Sequence, residues 1–184
     1  MAEAFQKQPR DVLSLDLGTS TGWAFAREGV IMKSGILDMS KSNELRGQKY
    51  IRFHNWLSGF SGVDAVYFED VKHHQAQKSI MAIRNYCGFL AVLEMFAYGA
   101  KIPLIGMAIG TIKMIVGGHG HCSKEDVCRA LHQLGWQNGE PGTMIDNDEA
   151  DACAIILATF SKMGYSGRFD GSDLDFETFD KQRG

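Results

Sequence analysis

"LDLGTSTGWAF", Leu15 to Phe25, is the stretch on which the rest of the chain turns. An apolar run ends in Asp16, a turn of small polar residues follows, and a second apolar run begins near Thr21. Such a hairpin serves two different chemistries. The Gly-Thr-Ser-Thr turn can wrap a nucleotide phosphate with its backbone amides. Alternatively, the carboxylate at the strand end can hold a hard cation. The surrounding elements have to separate the two.

Outward from the hairpin, residues 11–17, 21–27 and 29–38 read as three strands separated by Gly-containing turns. Residues 43–60 carry Leu45, Ile51, Phe53, Trp56, Leu57 and Phe60 at helical spacing. "VDAVYFED" (63–70) is a short buried strand with Glu69 near its end. Residues 75–99 form a long apolar helical stretch, interrupted at Gly88, and "IPLIGMA" (102–108) is the next strand. The X-Pro step keeps Ile102 extended. Residues 110–116 form a short helix stopped by Gly117-Gly118. "SKEDVCRALHQLG" (123–135) opens with Ser123 and Asp126 in capping-box register and closes on Gly135. "NDEADACAIILATFSK" (147–162) is an amphipathic helix. This order implies one α/β domain over residues 11–162, with a mixed sheet whose first three strands are antiparallel. Residues 1–10 are expected to be a flexible N-terminus and 163–184 a loose acidic tail.

The chain's 184 residues suit one domain with a substantial core. No uninterrupted apolar run approaches the ~18 residues that read as a membrane span. The polar MAEAFQKQPR start is unlike a secretory signal. Cys87, Cys122, Cys128 and Cys153 form no CxxC pair and are expected to be reduced thiols in a cytoplasmic protein. The net charge of −3 hides an asymmetry. Between Lys72 and Gln133 seven Lys/Arg face three acids, whereas from Phe169 onward five acids face two bases. A local patch, not the sum, decides whether phosphate is attracted, so nucleic-acid binding is permitted without being required.

Asp16 ends the first strand and Glu69 the fourth; if those strands are neighbours, both carboxylates emerge at one edge. Asp148 and Asp151, three apart, point from one helical face. Carboxylates converging at about 4 Å cannot all ionise without a cation between them. All-oxygen ligands suit Mg²⁺ or Mn²⁺, and two such ions about 3.5–4 Å apart can clamp a phosphodiester undergoing hydrolysis. Asp146 and Glu149 are alternatives to Asp148 in the metal shell. Taken singly, each acid could be a turn former or a helix N-cap.

On "LDLGTSTGWAF", "VYFEDV", "IKMIVGGHGHCSKEDV" and "DEADACAIILA", the chain resembles the RuvC-type Holliday junction resolvases (crossover junction endodeoxyribonucleases) from about Val12 to Ala158. The resemblance implies a ribonuclease H-like fold, with a mixed five-stranded sheet flanked by helices. It also implies Mg²⁺-dependent cleavage of branched DNA, with Mn²⁺ as a substitute. The family's metal-binding acids fall on Asp16, Glu69, Asp148 and Asp151. Its lysine–glycine segment near DNA falls on Lys113, Gly117, Gly118, Gly120 and Lys124. The turn Asp16-Leu17-Gly18 is shorter than the Asp-Pro-Gly turn of bacterial chromosomal members, as in the phage-like branch. Where the chromosomal members place an aromatic wedge after the glutamate, "VKHHQAQ" offers only His73 and His74 as possible stackers, with Lys72 beside them as a further DNA-binding candidate. Two symmetric nicks in a four-way junction imply a two-fold homodimer; the apolar stretch 79–99 is the candidate interface, with core burial as its other role.

Two further functions share parts of this pattern. A sugar-kinase-like phosphotransferase shares the hairpin, but it needs two lobes around its nucleotide and 184 residues supply one. A non-catalytic module that binds branched nucleic acid would not need the intact acid set. His121, Cys122, Cys128 and His132 could ligate zinc, but their spacing matches no finger or ribbon, and the cysteines are expected to pack in the core. Trp23 is expected to be core as well.

Overall fold

Thr21 closes the turn after Asp16. Its hydroxyl donates to the Gly18 carbonyl (2.7 Å) and accepts from the Gly18 amide (3.3 Å). The computed structural model describes residues 9–40, 44–45, 47–71, 79–133, 135, 147–164 and 168–169. The turn joins β1 (Asp11–Asp16) to β2 (Ser20–Arg27), which pairs in turn with β3 (Val30–Asp38). These three strands are antiparallel, with Asp16 opposite Gly22 and Leu13 opposite Phe25. β4 (Ala65–Glu69) adds parallel to β1, and β5 (Leu104–Met107) adds parallel to β4. The expected five strands therefore form one mixed sheet. A two-residue strand, β6 (Arg168–Phe169), pairs parallel with β3, giving the order β5-β4-β1-β2-β3-β6.

Among the described residues, five helices cover the two faces. α1 (Gln48–Ser58) lies between Gly47 and Gly59 and is shorter than its periodicity predicts. α2 (Ile80–Ala100) starts where the Ser79 hydroxyl accepts from the Ala82 amide (3.2 Å) and ends at Lys101, in left-handed conformation (φ +58°). α3 (Ile109–Gly117) ends at Gly118 (φ +81°). α4 (Lys124–Gln133) carries the expected capping box: the Ser123 amide donates to the Asp126 carboxylate (3.0 Å), and the Asp126 amide donates to the Ser123 hydroxyl (3.2 Å). α5 (Asn147–Lys162) has the expected span.

Gly88 does not interrupt α2, which is continuous for 21 residues. The glycine is instead a packing position: a Cβ there would overlap the Tyr50 hydroxyl of α1. Tyr50 and Phe53 of α1 both meet Phe89 edge-on, with ring centroids 5.2 and 5.3 Å apart. A helix tolerates a glycine at a cost of about 1 kcal/mol when tertiary packing compensates.

Strand alternation divides the core in two. Leu13 and Leu15 of β1 and Val66 and Phe68 of β4 face α1 and α2, packing with Phe53, Leu57, Phe89 and Leu93. Trp23 joins this side, edge-on to Trp56 (5.6 Å), in keeping with its expected core role. On the other face, Val12, Ala65 and Tyr67 pack with Ala152, Ile155 and Ile156 of α5, and with Ile112, Val127 and Leu131 of α3 and α4. Cys122 and Cys153 are buried on this side, and Cys128 packs at its margin.

By length and composition, α2 is the one helix among the described residues that could cross a membrane. Phe89, Leu93, Phe96 and Ala97 bury one of its faces. The stripe Ile80, Arg84, Cys87, Ala91, Met95 and Tyr98 is exposed. Their spacing of three and four residues puts them on one side of the helix.

Candidate metal centre

Strand register brings the first two acids together. β1 and β4 are adjacent and parallel, with Leu15 level with Phe68, so the following residues, Asp16 and Glu69, sit side by side at the C-terminal edge. Period-two alternation puts both on the face covered by α5, since Val12, Ser14 and Tyr67 point that way. This is the edge of a parallel pair where α/β folds place their ligands.

α5 delivers the other two. It lies across β1, β2 and β3, and close approach is possible because the facing positions of β2 are Gly22, Ala24 and Ala26. At Gly22 the contact is tightest: a Cβ would overlap the Asp148 carbonyl and crowd the Glu149 amide at 2.9 Å. The fully buried Ser14 hydroxyl donates to the Ala152 carbonyl (2.7 Å), tying the helix to β1. The Ser34 hydroxyl of β3 donates to the Glu149 carboxylate (2.6 Å). Glu149 is thus buried on the β3 side of α5, while Asp148 and Asp151 share the side of Asp16. Asp146, the other alternative, lies outside the described residues.

The electrostatics follow from this placement. Burial, together with the charges of Glu69, Asp151 and Asp148, pushes the Asp16 carboxyl up to about 8, with Lys124 opposing. Lys124, the first residue of α4, places its ammonium 3.0 Å from the Asp151 carboxylate. Burial works against the charged ammonium, but the hydrogen bond and the fields of Asp151, Asp16 and Asp148 prevail and raise its pKa. Burial also lifts the Cys128 thiol, one turn along α4, with the Asp151 charge adding to the effect.

The donor set is all-oxygen, as a hard divalent cation requires. Among the described residues no three acidic, histidine or cysteine side chains stand close enough together to hold a metal ion as they are placed. The charge imbalance around Asp16 is what a cation would relieve, so the residues present fit Mg²⁺ or Mn²⁺.

Of the expected DNA-contacting residues, Lys124 is drawn into the acid cluster. Lys113 is on α3 and partly buried. Gly118 is exposed, with a left-handed backbone that favours glycine. Lys72, His73 and His74 lie outside the described residues. The cysteines follow their expected packing role: Cys122 donates its thiol to the Lys113 carbonyl (3.4 Å) and presses on Gly117.

Sequence reasoning missed four positioning residues. Gly22 could have been found, because Gly22, Ala24 and Ala26 alternate as a small-residue face. Ser14 and Ser34 carry the weaker signal of a hydroxyl at an inward strand position. Tyr86 of α2 has no local signal. Its hydroxyl donates to the Glu69 carbonyl (3.0 Å) and accepts from the Val71 amide (3.2 Å), pinning the end of β4.

A mixed sheet with three antiparallel strands, two parallel additions and acids at the β1–β4 edge under a C-terminal helix is a ribonuclease H-like domain. Within that class the fold is of the RuvC type. Thermus thermophilus RuvC in complex with a Holliday junction substrate matches with a TM-score of 0.67 at 22% identity, covering 86% of this chain and 98% of that one. A second Thermus thermophilus RuvC structure matches at 0.65 and 22%, covering 85% and 98%. The yeast mitochondrial Holliday junction resolvase Ydc2 matches at 0.57 and 14%, covering 94% and 83%. No family model and no curated protein sequence matches this chain.

Proposed function

We propose that this protein is a divalent-metal-dependent endonuclease that cleaves Holliday junctions or related branched DNA, acting in recombination, repair or phage DNA processing in the cytoplasm. The observation that carries this reading is the gathering of Asp16, Glu69, Asp148 and Asp151 from three elements around a carboxyl that resists ionisation. The fold shared with RuvC and Ydc2 supports it, since one of those structures holds a Holliday junction and the other is named a resolvase.

In this reading the four acids hold Mg²⁺, for which Mn²⁺ substitutes. The bound metal would activate water and stabilise the leaving oxygen. The chain's own residues orient the substrate. Lys113 and Lys124 neutralise phosphates near the cut, a contribution that weakens with salt because releasing counterions into a more concentrated solution gains less free energy. Gly118 lets the backbone approach a phosphate, and Lys72, His73 and His74 contact the branch.

A phosphotransferase role finds no comparable support. The Gly18 amide, which a phosphate-wrapping turn would need, is bonded to Thr21.

Two coordinated nicks call for a homodimer, and the exposed stripe on α2 is the face assigned to it in this reading: Ile80, Met95 and Tyr98 are 84%, 70% and 89% exposed.

The test is cleavage of a synthetic four-way junction, a Y-fork and a linear duplex, with and without Mg²⁺, beside Asp16→Asn. Symmetric metal-dependent nicks in the four-way junction, absent in the variant, are expected. Equal cutting of forks would broaden the substrate to branched DNA in general. Binding without cleavage in any metal would replace the nuclease with a binding module.

A further inference from the structure

Lys124 occupies an unusual position for a residue expected to face DNA. Its ammonium lies 3.0 Å from Asp151, inside the field of Asp16 and Asp148. Its backbone is held. The capping box at Ser123 and Asp126 fixes the start of α4, and buried Val127 and Leu131 pack that helix into the core shared with α5. Its side chain is not: 52% of it remains exposed, so a few rotamer changes move the ammonium outward without moving the helix.

We propose that Lys124 is the built-in counter-ion of the acid cluster, which a divalent cation displaces from Asp151 and releases toward a DNA phosphate. It rests on the metal-site reading above. Three or four carboxylates crowd one edge of the sheet, and in the absence of metal the tethered Lys124 ammonium, 3.0 Å from Asp151, supplies a neutralising charge. A cation entering among Asp16, Asp148 and Asp151 competes for the same carboxylate oxygens and repels the ammonium. Once released, Lys124 is free for a phosphate on the strand being held. Metal loading and phosphate binding would therefore strengthen one another through a single side chain, as linkage requires.

The consequence is counter-intuitive. Removing a basic residue from a DNA-processing site should improve binding of a positively charged metal. Calorimetric titration of Mn²⁺ into the DNA-free full-length protein would compare wild type, Lys124→Ala, Lys124→Arg and Asp16→Asn. Lys124→Ala is expected to bind Mn²⁺ roughly tenfold more tightly, as removal of a nearby like charge predicts. Lys124→Arg should stay close to wild type, and Asp16→Asn should lose binding. Unchanged or weaker binding by a folded Lys124→Ala would overturn the counter-ion role and leave the metal site standing. No Mn²⁺ binding by wild type or Lys124→Ala would overturn both.

A second measurement needs no variant. Amine acetylation of Lys124, followed by mass spectrometry, should speed up several-fold when Mg²⁺ is added at constant pH. Constant labelling while metal is bound would also overturn the proposal.

Discussion

Gly22 of β2 lies directly under the Asp148 carbonyl of α5, leaving no room for a side chain. Because Gly22 is also the pairing partner of Asp16, this contact sets how far the first turn of α5 stands from the end of β1. The separation of the acids depends on a residue that carries no functional group.

Gly22→Ala should therefore damage the site more than the fold. The added methyl meets backbone, which cannot rotate away, and the start of α5 must lift. Overpacking of this kind costs about 1–3 kcal/mol. The expected result is a folded protein with a lowered thermal midpoint and strongly reduced Mn²⁺ affinity, measured by calorimetry. Wild-type metal affinity in the variant would show that α5 is positioned by other contacts.

Asp16 ties stability to pH in the metal-free protein. Its folded-state pKa of about 8 stands above the ordinary value of 3.8, so the native state binds this proton more tightly than the unfolded chain does. Its contribution is complete below about pH 4 and is lost as pH rises toward 8, levelling off above. Between pH 6 and 9 the metal-free thermal midpoint should fall by several degrees, and Mg²⁺ should restore most of the loss. Asp16→Asn should flatten this dependence and abolish cleavage while DNA binding persists. The loss of cleavage should exceed the roughly 10–100-fold typical of outer-shell changes. A variant with the wild-type pH slope would move the ionisation to another group.

Tyr86→Phe isolates the clamp on β4. The ring remains and only the hydroxyl is lost, with its bonds to the Glu69 carbonyl and the Val71 amide. A destabilisation of about 1 kcal/mol per lost hydrogen bond is the upper expectation, since water can reach this part-buried site. Cleavage should fall roughly tenfold, within the range for residues that orient a ligand. Full activity at unchanged metal affinity would mean that strand pairing alone holds Glu69.

Met95→Glu combined with Tyr98→Lys tests the α2 face. Both side chains are exposed, so the monomer should keep its fold and thermal midpoint within about 0.5 kcal/mol. Light scattering after size exclusion should show wild type as a dimer and the double variant as a monomer. Paired nicking of a four-way junction should give way to single nicks. A wild-type monomer at micromolar concentration would remove α2 as the interface.

Much of the architecture could be read from short-range signals. The three opening strands, the capping box at Ser123 and Asp126 and the span 147–162 of α5 all appear where the residues predict them. Each depends on a periodicity, cap or turn contained within a few neighbouring positions. Gly88 misled for the same reason: locally it interrupts a helix, and only Tyr50, 38 positions earlier, explains why α2 continues past it.

The four acids could likewise be named from residue type and strand-end or helix-start position. Their convergence could not, because it requires β4 to pair with β1 rather than with its sequence neighbour β3. A shift of one residue in that pairing would turn Glu69 to the opposite face. Glu149 and Asp148 are adjacent and chemically similar, yet Ser34 holds the first on the β3 side while the second joins the field around Asp16. Lys124, a DNA contact by the family resemblance, pairs with Asp151 because α4 packs beside α5. By itself the sequence determined which groups were present and which elements carried them, since local interactions suffice for that. Their distances, and hence the charge imbalance that invites a cation, were decided by tertiary packing between segments 27 to 135 residues apart.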